Sequence, residues 1–218
     1  MQIKIVKVGY LETNCYILIK DNNALIIDPG DDYEKIKQQL GNYNLKGILI
    51  THNHFDHIGA LKYFNNTNIY DYNNTEEKEY TIEKFKFNVI HTKGHTSDSI
   101  TYYFKDENIM FVGDFIFKSS IGRTDLESGD MNEMIKSIDK IKKYPQDTTI
   151  YPGHGDRTIL KEEIINNPFF LEKWGWKNEN NTSIFNNIYN LWNTNFNRYG
   201  NDIQKNEPRL QKRSNTNL

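Results

Sequence analysis

Cysteine is almost absent from this chain. A single thiol, Cys15, among 218 residues excludes an internal disulfide. Beside Tyr16 and Ile17, with no basic neighbour to activate it, the thiol reads as a small packed apolar group rather than a nucleophile. An excess of charge is missing too. A formal net charge of -2 and a pI near 6.3 leave no basic field to gather nucleic acid and no acidic tail. No uninterrupted apolar run approaches the roughly 20 residues that span a bilayer. The opening residues MQIKIVKV lack the charged head, apolar run and small-residue site of a secretory leader, so a cytoplasmic location is expected. Nucleic acid and membrane drop out as expected partners, which leaves a small molecule, with monomer and homodimer both open. A chain of this length holds one large domain, or one domain with an appendage.

What is abundant is asparagine. Of the 47 residues after Leu171, 13 are Asn, and this shift towards turn-favouring side chains marks a boundary. The expected organisation is therefore a domain over 1–171 and an extension over 172–218. Within the domain, QIKIVKV (2–8), NCYILIK (14–20) and ALIID (24–28) read as a strand meander closed by Asp28-Pro29-Gly30. Apolar residues at 33, 36 and 40 predict a helix that stops at Gly41. The run GILI (47–50) predicts a strand buried on both faces. Further strands are expected at 84–90, 99–104, 108–113 and 149–151. Apolar positions 131, 134, 135, 138 and 141 predict an amphipathic helix with Asp130 as N-cap and Glu133 completing a capping box. A short helix is expected over 160–165. The interleaving lacks strict βαβ alternation, so two mixed sheets with helices outside fit best.

The stretch THNHFDHIGA (51–60) places His52, His54, Asp56 and His57 directly after the GILI strand. In extended chain His52 and His54 point the same way. Imidazole with carboxylate suits zinc or another borderline divalent ion. The remaining histidines are His91, His95 and His154, and the last two sit in glycine-flanked turns, KGHTSDS and YPGHGD. Asp114 follows the strand NIMFVG at a similar strand end. His91, four residues before His95, reads as structural.

Taken in order, T-H-N-H-F-D-H, G-H-T, V-G-D and P-G-H-G resemble the metallo-β-lactamase superfamily over about residues 1–171. The resemblance implies an αββα sandwich of two mixed β-sheets flanked by helices, with metal at one edge between the sheets. It implies one ion on His52, His54 and His95, a second on Asp56, His57 and His154, and Asp114 as the bridge. The zinc β-lactamases generally lack that bridging carboxylate, and flavodiiron proteins carry glutamate where His54 stands. SIGRTDLESGD (120–130) looks like the short hydroxyacylglutathione hydrolase (glyoxalase II)-like branch. Persulfide dioxygenases share the G-R-T-D stretch but typically read P-A-H-D-Y where this chain has Pro152-Gly153-His154-Gly155. Lys93 and Ser97 replace the prolines that hydrolases of the family often carry beside the third histidine, which leaves the acyl group open.

The implied cofactors are two divalent ions, zinc first, with iron or manganese as alternatives. The implied reaction is hydrolysis of a small-molecule thioester by a hydroxide bridging the ions, with Asp56 and Asp114 as catalytic carboxylates. A thiolate leaving group, of pKa about 8.5, needs little help from a general acid. Around the ligands, Asp28, Thr51 and Thr96 are expected to orient imidazole N–H groups. Arg123 lies where glyoxalase II has a lysine for the glutathione carboxylate, so it is the substrate-binding candidate; an ion pair with Asp125 or Asp130 is the competing reading. A mononuclear iron persulfide dioxygenase, using His52 or His54 with His95 and Asp114, is the alternative function. In the extension, Ile184, Phe185, Ile188, Tyr189, Leu191, Trp192 and Phe196 predict one amphipathic helix over about 183–198.

Overall fold

The computed structural model describes residues 1–171. The extension 172–218, with its expected helix, lies outside the described residues. Three strands, β1 (Gln2–Val8), β2 (Thr13–Lys20) and β3 (Asn23–Ile27), open the chain as an antiparallel meander. Helix α1 (Tyr33–Leu40) crosses to β4 (Asn44–Leu49), which pairs parallel with β3. A four-residue helix, α2 (Phe55–Ile58), and the short β5 (Ile69–Tyr70) complete a five-stranded sheet of order β1-β2-β3-β4-β5.

The second half repeats the logic. Strands β6 (Glu79–Ile82), β7 (Phe85–His91), β8 (Ile100–Phe104) and β9 (Ile109–Gly113) form an antiparallel run. A small hairpin of β10 (Ile116–Phe117) and β11 (Ser120–Ile121) precedes α3 (Met131–Ile141). Then β12 (Thr149–Pro152) pairs parallel with β9, β13 (Thr158–Ile159) caps the edge, and α4 (Leu160–Asn166) follows. The six-stranded order is β13-β12-β9-β8-β7-β6.

Strand parity explains the layering. In β2, Tyr16 and Leu18 face Phe87, Tyr102 and Phe111 of the other sheet. Their alternates Cys15, Ile17 and Ile19 pack with Ile36 of α1. In the second sheet Phe111 points inward, whereas Met110 and Val112 pack with Met134 and Ile138 of α3. Each strand that is buried on both faces thus carries a near-continuous apolar run, and each fully buried large side chain contributes about 1.5–3 kcal/mol. The result is the expected α/β/β/α order of layers, with Cys15 a buried free thiol.

Several short elements were not foreseen. Strands β5, β10, β11 and β13 have two residues each, too few to show alternation. Helix α2 lies inside the histidine motif, just after the extended stretch of His52 and His54. The capping box at α3 forms by half: Asp130 Oδ1 accepts from the Asn132 and Glu133 N–H groups at 2.7 and 3.1 Å. The reciprocal donor, the Asp130 N–H, goes instead to the Gly94 carbonyl at 2.8 Å, and the Glu133 carboxylate pairs with Lys136. Ser137 Oγ adds a hydrogen bond to the Lys93 carbonyl at 2.7 Å. The first turns of α3 therefore support the loop that carries His95.

Asp130→Ala removes two cap bonds and is expected to cost about 1 kcal/mol, with Asp130→Ser recovering most of it; urea denaturation measures both. Equal stability of the wild type and the alanine variant would contradict the capping assignment.

Candidate metal centre

The seven candidate ligands arrive at one edge between the sheets on five segments, at or just beyond strand ends. His52 and His54 follow β4, Asp56 and His57 lie on α2, His95 follows β7, Asp114 follows β9 and His154 follows β12. Glycine allows the last two to meet. A Cβ at Gly153 would overlap the Asp114 carboxylate and come within 2.7 Å of His57 Cε1.

Two groups of donors form. His54 Nδ1 is 3.1 Å from His52 Nε2 and 3.0 Å from His95 Nε2. On the other side, His154 Nε2 is 3.2 Å from Asp56 Oδ2, and His57 Nε2 is 3.5 Å from the same oxygen. Asp114 lies between: Oδ1 is 3.3 Å from His57 Nε2, and Oδ2 is 3.5 Å from His154 Nε2 and 3.7 Å from His95 Nε2. His52, His57 and Asp114 also converge as a set, so three overlapping ligand groups share the pocket.

Hydrogen bonds on the far sides of the rings set which nitrogen faces inward. Asp28, buried at the end of β3, accepts from the Thr51 N–H at 2.8 Å, the Thr51 hydroxyl at 2.7 Å and His57 Nδ1 at 2.9 Å. Because the Thr51 hydroxyl donates to Asp28, its oxygen accepts from His52 Nδ1 at 3.1 Å. His95 Nδ1 donates to the Arg123 carbonyl at 2.8 Å and His154 Nδ1 to the Leu11 carbonyl at 3.1 Å. Carbonyl oxygens only accept, so both rings hold a proton on Nδ1 and turn Nε2 inward. Asp28 itself adopts a left-handed backbone, φ 51°, a conformation Asp and Asn tolerate.

The donor set fits a divalent cation. At most one hydrogen can satisfy the contacts among the three nitrogens of His52, His54 and His95, whereas one cation satisfies all three. Nitrogens bound tetrahedrally at ~2.0–2.1 Å lie roughly 3.3 Å apart, close to the spacings observed. His57 Nε2 and Asp114 Oδ1 are buried and complete no hydrogen bond, as befits atoms that a metal would engage.

Electrostatics divides the two groups. Burial, with the neighbouring His57 for one ring and His95 for the other, holds His52 and His54 below the usual imidazole range, so both are neutral ligands at pH 7. Burial also opposes charge on His57 and His154, but Asp114, joined by Asp28 for His57 and by Asp56 for His154, overcomes it. His57 is raised well above its ordinary value and His154 is pushed up to about 10. Burial likewise works against the Asp114 carboxylate, yet His154 and His57 hold it well below the usual range.

The expected neighbours of the ligands divide. Asp28 and Thr51 reach ring nitrogens directly or in series. Thr96 does not: its hydroxyl bonds Ser99 Oγ at 2.6 Å, and the Arg123 carbonyl takes the role on His95. The Arg123 guanidinium forks onto Asp125, with Nε–Oδ1 and Nη2–Oδ2 both 2.8 Å, which is the ion-pair reading of that loop. His91 stays outside, its ring tilted against Tyr72 with centroids 4.8 Å apart. Sequence reasoning missed Thr13, whose hydroxyl donates to Asp56 Oδ2 at 2.9 Å. It also missed Asn14, whose Nδ2 donates to the Pro152 and Gly155 carbonyls at 2.9 and 3.0 Å around His154. Arg123 and Leu11 act through backbone carbonyls, which no side-chain pattern announces.

Comparison with known proteins agrees with this geometry. The family model of the metallo-β-lactamase superfamily matches residues 8–71 and 69–154, and the chain belongs to that superfamily. It is 31% identical over 211 residues to the hydroxyacylglutathione hydrolase GloC of Haemophilus influenzae, covering 79% of this chain and 100% of that one. It is 33% identical over 198 residues to the probable metallo-hydrolase YqgX of Bacillus subtilis, covering 74% and 94%. Among solved structures, the B3 metallo-β-lactamase BLEG-1 superposes with a TM-score of 0.74 at 34% identity, covering 78% of this chain and 99% of that one. The di-iron-bound form of TTHA1623 gives 0.71 at 28% identity, covering 76% and 99%. Among the described residues no helix is long and apolar enough to cross a membrane.

Two outcomes follow. Metal binding displaces the protons that Asp114 draws onto His57 and His154, so affinity rises with pH over 6–8, by about tenfold per unit for each proton released. Calorimetry in buffers of differing ionisation enthalpy counts the protons, and a count of zero at pH 7 would contradict the assignment. Asp28→Asn keeps the left-handed backbone but loses the charge and an acceptor; it is expected to weaken metal binding about 10–100-fold in chelator competition.

Proposed function

We propose that the protein is a dinuclear metal-dependent hydrolase that cleaves a thioester. The observation that carries this reading is Asp114, a single carboxylate whose Oδ1 faces His57 and whose Oδ2 lies between His154 and His95, within reach of both nitrogen groups. In this reading His52, His54 and His95 hold one ion, Asp56, His57 and His154 the other, and Asp114 joins them. Five imidazoles and two carboxylates suit zinc, and iron is the alternative that the likeness to a di-iron-bound protein supports. When bound, a pair of divalent cations acidifies water and polarises a carbonyl.

The chain's own residues orient and hold protons. Asp28 and Thr51 keep the His52 and His57 rings aligned, and the Arg123 and Leu11 carbonyls do the same for His95 and His154. Thr13 fixes Asp56 Oδ2 beside His154, where the carboxylate can hold the proton of the attacking water. A thiolate of pKa about 8.5 departs without a general acid, which suits a site built of candidate ligands and their supports. Likeness to a hydroxyacylglutathione hydrolase supports the thioester. Arg123 stands at the His95 end, and a substrate carboxylate reaches its guanidinium by exchanging with Asp125.

Metal analysis with parallel assays tests the reading. The expected outcome is two ions per chain, thioester hydrolysis, and little turnover of a chromogenic cephalosporin; Asp114→Ala is expected to lose the second ion and about 100-fold or more in kcat. One iron per chain with persulfide-dependent oxygen uptake would instead establish the dioxygenase.

A further inference from the structure

A small pocket of about 270 Å³ opens beside the metal centre, and Thr13 and Asp56 form part of its lining. Its mouth is flanked by two aromatic rings that a core would bury. Tyr10 and Phe55 are 74% and 62% exposed, and they stack in parallel with centroids 6.4 Å apart and planes 19° from each other. Asp31 also lines the pocket. It is exposed, it accepts the Asp32 N–H at 2.7 Å, and it is in no ion pair among the described residues. The nearby Lys35 ammonium is held instead by the Lys7 carbonyl and Asp32. Among the described residues no lysine, arginine or histidine lines the pocket.

Aromatic faces joined to a carboxylate attract a cation and repel an anion. We propose that this pocket binds a cationic group of the substrate, an ammonium within a few bonds of the scissile thioester. The inference rests on the thioester reading above and names the charge class that the site selects. The turn bearing Tyr10 is coupled to the centre, because Leu11 in the same turn accepts from His154 Nδ1. A filled pocket therefore braces the ring nearest Asp56.

The test compares three S-acetyl thioesters with the metal-loaded full-length protein: acetylthiocholine, its uncharged 3,3-dimethylbutyl isostere, and the anionic 3-mercaptopropionate ester. The expected order of kcat/KM is cation, neutral, anion, with about tenfold between the first two. Asp31→Asn should shrink that ratio to about threefold or less, and Phe55→Ala should raise KM for the cation. Equal kcat/KM for cation and isostere, or a ratio unmoved by Asp31→Asn, overturns the proposal. Saturation-transfer NMR with choline against 3,3-dimethylbutan-1-ol reads binding without turnover. Choline binding lost in Asp31→Asn, with no thioester hydrolysed, would retain the pocket and refute the hydrolase. Hydrolysis without charge preference would do the reverse.

Discussion

Hydrogen bonds accepted by one buried carboxylate, Asp28, fix the segment on which the centre depends. Two donors come from Thr51 and one from His57, and through the Thr51 hydroxyl the network extends to His52. Rings five residues apart, His52 and His57, are thereby oriented from a residue on neither of their segments. The carboxylate must be buried to hold them rigidly, and an unpaired buried carboxylate would be costly. Three donors remove that cost and also account for a residue tolerated at positive φ.

The same constraint recurs around the site. Four of the five rings that turn a nitrogen inward have an acceptor on the far side, and the fold supplies a different one each time: Asp28 for His57, the Thr51 oxygen for His52, the Arg123 carbonyl for His95 and the Leu11 carbonyl for His154. These acceptors come from both sheets and from the turns between strands. The centre is therefore a property of how the two sheets meet, and the supports at Gly94, Lys93, Thr13 and Asn14 show α3 and β2 holding its loops in place. Charge separates the two ends: the His52 and His54 imidazoles are held neutral on one side, while on the other His57 and His154 carry protons that a metal must displace.

Much was legible in the chain before its folding was considered. Periodicity located the long strands and α1, α3 and α4 because burial on one face or two imposes 3.6- and 2-residue repeats. Two-residue strands and the single turn of α2 carry no period and were missed. The histidine motif and its partners at 95, 114 and 154 were legible because metal chemistry demands particular side chains. Thr96 was misjudged, since adjacency to a ligand in sequence does not place a hydroxyl on its ring, and Ser99 was the nearer partner.

By itself the sequence determined which donors exist, the polarity of each strand face and the exclusion of disulfide chemistry. Only the tertiary structure decided that Asp114 lies between the two nitrogen groups and that backbone carbonyls of Leu11 and Arg123 set two tautomers. It also placed Tyr10, Phe55 and Asp31 around one pocket. The physical reason is the same in each case. Side-chain chemistry is written residue by residue, whereas a contact between residues 143 positions apart, as between Leu11 and His154, exists only after two sheets have packed their apolar faces together.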